Sequence, residues 1–210
     1  MLSALRKKNK MFGICLKSLK SCRKGVVAIE MALVAPIIIM MILASADIIS
    51  YLLANQRISR ASYTISNLIT QMDEGLTESQ LSDMMLSLDE VTKPLDLSLD
   101  GKATVTAIIG VGTDGSTPDS YQVAWQRCFG TAVGNSNFGS AGDTVASSVV
   151  PANMIVLTSQ ILVVTEIVYN FTPLVGFINI NDKIEYLSYF RPRRGSIENI
   201  VNDAASTSTC

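Results

Sequence analysis

The sequence predicts an α+β protein: a long N-terminal transmembrane helix that continues into a small head built on an antiparallel β-sheet. Three observations lead there. Val26 to Leu53 is a 28-residue apolar run broken only by Glu30 and Asp47. An amphipathic helical pattern follows it directly, and from about residue 95 the chain turns to short β-rich segments divided by turns. Helices first and strands afterwards is the order of an α+β fold, and 210 residues leave room for one domain beside a membrane segment.

Charge is segregated along the chain. Residues 1–25 carry eight basic residues (Arg6, Lys7, Lys8, Lys10, Lys17, Lys20, Arg23 and Lys24) and no acidic one, so the near-neutral total of −1 conceals a strongly acidic remainder. A basic block directly before an apolar run holds that flank on the cytoplasmic side. This position favours topology over a nucleic-acid arm, and no nucleic-acid partner is expected. The N-terminus is expected inside, with the bulk of the chain outside the cytoplasmic membrane.

As a helix, the apolar run would measure about 42 Å against a hydrocarbon core of about 30 Å. Pro36 lies in its first third, where it removes one backbone donor and bends the helix. Ala44-Ser45-Ala46 resembles a secretory cleavage site, but the apolar run passes through it to Leu53, so retention as the mature helix is expected. Asp47 falls about 25 Å beyond Glu30 and reads as an interfacial carboxylate facing water. Glu30 is different. A carboxylate five residues into a membrane segment is a functional-site hypothesis, because the bilayer interior penalises charge.

The junction Lys24-Gly25-Val26-Val27-Ala28-Ile29-Glu30 resembles a type IV prepilin processing site. The continuation AIEMALVAPIIIMMILASADIISYLLANQRISRAS is similar to the N-terminal module of TadE-like pseudopilins of the tight-adherence (Tad/Flp) pilus system, over about residues 23–66. Met31 stands where Phe or Tyr is usual. The resemblance implies a pilin-like fold and cleavage by prepilin peptidase between Gly25 and Val26, making Glu30 the fifth mature residue. It implies a minor pilin or pseudopilin in the bacterial inner membrane, its head periplasmic, able to be incorporated into a pilus, with other Tad pilins and an assembly platform as partners. Within such an assembly Glu30 of one subunit can pair with the new α-amino group of Val26 on its neighbour, offsetting part of the cost of burying the carboxylate. TadF-like and TadG-like proteins share this module, and the length fits the larger TadG-like architecture less well. A signal-anchored periplasmic binding or scaffold protein, never processed, is the alternative.

Beyond Leu53, helical spacing of Ile58, Ala61, Ile65, Leu68 and Ile69 extends the first helix until Asp73-Glu74-Gly75. Thr77-Glu78-Ser79-Gln80 is a capping box that opens a second helix through about Val91, with Leu81, Met84, Met85 and Leu88 as its apolar face. Leu95, Leu97 and Leu99 alternate with polar residues and predict a strand. Further strands are expected over Ala103–Val111, Tyr121–Cys128, Met154–Thr158, Leu162–Phe171 and Lys183–Phe190, with a hairpin loop at 112–118 and a surface loop at 130–150. The expected organisation is a cleaved leader (1–25), the transmembrane helix (26–54), a helical stalk and second helix (55–92), and a β-rich head (93–210). Arg191-Pro192-Arg193-Arg194, a basic cluster with counterparts in TadE-like proteins, reads as a solvated strand end or a contact to an acidic partner or lipid.

Cys15 and Cys22 lie in the leader. Cys128 and Cys210 would meet in an oxidising compartment, where a bridge is expected to contribute about 3–4 kcal/mol. The chain has no His. This removes the commonest general base and most zinc sites, and no phosphate-binding or dinucleotide glycine pattern appears. Acidic residues read as solvated charge on helix faces and loops. No catalytic residue, metal, cofactor or small-molecule substrate is expected.

Overall fold

The computed structural model describes residues 24–73, 75–113, 118–146, 149–151, 154, 156–177, 183–203 and 210. Residues 1–23 of the expected leader, with Cys15 and Cys22, lie outside the described residues, as does the tip of the expected hairpin loop at 114–117. Two units make up the chain, Met1–Ala46 and Asp47–Cys210. Helix α1 (Lys24–Gln71, 48 residues) begins in the first and ends in the second.

In the first unit, α1 is bare apolar surface around Pro36. Leu33 and Met41 are each 68% exposed, and Ile29, Ile37, Ile39 and Ile42 are open too. It is the one helix among the described residues long and apolar enough to cross a membrane.

In the second unit, the same helix becomes amphipathic. Ala54, Ile58, Ala61, Ile65 and Ile69 form a buried stripe at spacings of three and four, whereas Leu68, expected in it, falls outside the stripe and is exposed. Helix α2 (Glu78–Thr92) starts on the predicted capping box. The Gln80 amide donates to Thr77 Oγ1 at 3.3 Å, and the Thr77 amide donates to Gln80 Oε1 at 3.2 Å. Leu81, Met85 and Leu88 carry its buried face.

The segment Leu95–Asp100, predicted as a strand, instead forms the short helix α3 (Leu97–Asp100). Asp96 overrides the period-two pattern: its side chain accepts the Leu99 amide at 3.1 Å and the Ser98 hydroxyl at 2.7 Å, closing a helical turn. Leu97 is then buried, while Leu99 is 67% exposed. On a strand the two would share a face.

Five antiparallel strands follow: β1 (Gly101–Val111), β2 (Ser120–Gly130), β3 (Thr144–Val145), β4 (Ile161–Asn170) and β5 (Lys183–Phe190). The sheet order is β3-β2-β1-β4-β5, with β1 at the centre. Between Met154 and Thr158 the described residues give an isolated bridge, Thr158 to Gly110, rather than the predicted strand. A turn at Ser159 (φ 63°) redirects the chain into β4.

Both faces of the sheet are covered. One face, with Val105, Trp125, Val163 and Ile167, packs on the helices. The other, with Ile108, Val123, Leu162 and Val164, is closed by Phe138, Val145, Val150 and Val156. A bulge opposite Ala107/Ile108 lets Val123 and Trp125 point to opposite faces although they are two residues apart. The alternation read across Tyr121–Cys128 therefore changes phase in mid-strand.

Candidate functional site

Gly25, Val26 and Glu30 lie in the first turns of α1, all exposed. Val26 and Glu30 stand four residues apart and so share a helix face. A side chain at Gly25 would meet nothing within 4 Å, and its φ is not in the left-handed region. Among the described residues, nothing around it demands a glycine.

Seventeen residues later, Asp47 departs from the expectation of an interfacial carboxylate facing water: it is fully buried. Its Oδ1 accepts the Val175 amide at 2.8 Å and its Oδ2 the Phe177 amide at 2.9 Å. One turn on, Tyr51 meets Phe171 edge to face, with ring centroids 5.4 Å apart. The two contacts fasten the loop 171–177 to α1. An Asp in an apolar run was visible in the sequence, as were the turn-formers Pro173 and Gly176, but their pairing spans 128 residues.

Farther along α1 a buried hydroxyl cluster joins helix to sheet. Ser66 Oγ donates to Thr165 Oγ1 at 2.7 Å, and Ser188 Oγ lies 2.7 Å from both Ser62 Oγ and Ser66 Oγ. Small hydroxyl residues at Ser62 and Ser66 fit this close helix–sheet contact, and each polar atom finds a partner.

Residues 25–66 match the TadE-like protein family. The N-terminal segment is TadE-like. The match begins at Gly25 and associates the chain with components of the Tad pilus. It covers the bare apolar part of α1, Asp47, and the stripe from Ala54 to Ile65, so the TadE-like module includes both the candidate membrane span and much of the packing face of the head. No curated protein and no solved structure matches the chain.

Other candidate residues are engaged structurally. Sγ of Cys128 at the end of β2 is bonded to that of Cys210, across a sequence separation of 82. Two acidic residues read as solvated are buried instead. Glu78 is 4% exposed and takes a bidentate ion pair from Arg127. Glu166 is 5% exposed and accepts from Ser136 Oγ, the Asn137 amide and Asn137 Nδ2. Each offsets its desolvation through multiple hydrogen bonds. In the basic cluster, the Arg193 amide donates to the Thr70 carbonyl and Arg194 lies 3.7 Å from Asp73. The cluster is thus tied to the end of α1 opposite Asp47, with Thr70 about 35 Å along the helix from it.

Proposed function

We propose that the protein is a minor pilin or pseudopilin, a structural and assembly component of a Tad/Flp pilus-type machine, cut by prepilin peptidase after Gly25. The observation that carries this reading is the coincidence at Gly25. The TadE-like match starts there, the surroundings leave the position open, and Glu30 stands five residues on in apolar helix. An open glycine directly before the apolar helix fits a protease cleft that admits only a small residue.

Cleavage turns the Val26 nitrogen into an α-amino group at the head of an apolar helix. Glu30 then supplies the opposite charge for a neighbouring subunit, where a water-poor helix bundle strengthens the pairing. The eight basic residues before the cut support an N-terminus on the cytoplasmic side of the inner membrane, and the Cys128–Cys210 bond fits a periplasmic head. Carboxylates buried in structural hydrogen bonds are consistent with a non-enzymatic role.

The test is the intact mass of the membrane-fraction protein, with and without prepilin peptidase. A start at Val26 only when the peptidase is present supports the reading, and Gly25→Ala then leaves the full-length form. A start at Met1 under both conditions sinks it and favours an unprocessed, signal-anchored binding or scaffold protein.

A further inference from the structure

We propose that the loop 171–177 inserts into the outer leaflet of the bilayer that α1 crosses, so that the head is seated on lipid by a second contact besides its helix. Leu174 is 78% exposed, Phe177 49% and Val175 44%, and residues 171–177 contain no charge. Three large apolar side chains presented by one short loop are unusual on a water-facing surface.

Depth identifies the occupant as lipid. The apolar run does not stop at Asp47: it continues to Leu53, about 9 Å farther along the helix, and its full length of about 42 Å exceeds the roughly 30 Å hydrocarbon core, so apolar helix surface reaches the level of the loop. At that level and one turn beyond, the uncovered flanks of α1 are Ile48, Ile49 and Leu52, all exposed. The apolar surface of the loop is continuous in level with theirs.

Non-helical backbone at such a depth needs internal partners for its amides. Asp47 provides them to Val175 and Phe177, and the Tyr51–Phe171 contact packs the loop's base. The same bonds satisfy a carboxylate that would otherwise be costly there. This inference rests on the helix crossing a bilayer and not on processing, so it holds whether or not the chain is cut after Gly25.

The experiment uses the full chain in phosphatidylcholine–phosphatidylglycerol vesicles whose acyl chains carry nitroxide quenchers at known depths. Single-tryptophan additions are read against the parent protein, whose lone tryptophan, Trp125, is buried. Phe177→Trp should show blue-shifted emission and be quenched most by shallow nitroxides. Ile39→Trp should be quenched by deep ones, and Val133→Trp, at a position 97% exposed, by neither. Asp47→Ala added to Phe177→Trp should weaken the shallow quenching while Ile39→Trp stays quenched in the same background. If Phe177→Trp behaves like Val133→Trp while Ile39→Trp is quenched, the proposal falls, and the loop is left to a protein neighbour. Loss of quenching at Ile39→Trp as well would overturn the membrane crossing itself, independently of where the N-terminus is cut.

Discussion

A methyl group added at Gly130 would lie 2.3 Å from the Gly101 carbonyl oxygen, and the backbone there holds φ +92°. Gly130→Ala should therefore destabilise the head by more than about 1 kcal/mol in urea unfolding of the detergent-solubilised chain. Gly25→Ala, with open space around it, should leave the same unfolding curve unchanged. A change at Gly25 that altered processing alone would separate the two kinds of glycine. The Glu78–Arg127 pair permits a similar discrimination. Arg127→Met strands a buried carboxylate and should cost about 3 kcal/mol, whereas combining it with Glu78→Leu should recover much of the loss. Equal losses in the single and double variants would mean that Glu78 is better solvated than its burial implies.

At the scale of elements, the α1–sheet contact combines an apolar stripe with a hydroxyl cluster. Ile65→Ala opens a cavity and should cost about 3 kcal/mol. Ser66→Ala, which leaves Thr165 and Ser188 short of a partner, should cost about 1 kcal/mol. Elements whose signals are local were readable from sequence: the stripe from Ile58 to Ile69, the Thr77 capping box, and the strand Lys183–Phe190, which runs as predicted. Errors arose where a side chain bonds its own backbone, as Asp96 does in α3, or where a bulge changes the phase of alternation, as at Trp125. The candidate site divided in the same way. Gly25 and Glu30 form a contiguous motif, but the partners of Asp47 and Glu166 come from distant segments that no local pattern announces.

For the whole molecule, the Cys128–Cys210 bond closes a covalent loop that holds β3, β4 and β5. Cys210→Ser should lower head stability by about 4–5 kcal/mol on the chain-entropy account, and reductant should have little further effect on that variant. Alkali provides a second global probe. Burial, followed by the nearby charges of Asp100 and Asp96, raises the Tyr169 phenol above its ordinary pKa of 10.0. The folded state thus holds that proton more tightly than the unfolded chain. Its contribution is complete below pH 10.0 and is lost as pH rises through the higher folded value. Unfolding titrations across this range should show a shallower decline for Tyr169→Phe. Within the second unit, the packing of α1 also has a mechanical meaning. A pull along the helix axis loads the stripe Ala54–Ile69 and the Ser62–Ser66 hydroxyls in shear, so they must yield together instead of peeling one by one. Because Asp47 and Tyr51 grip the loop at the end of this stripe nearer the N-terminus, tension from that side reaches their clasp before it reaches the core.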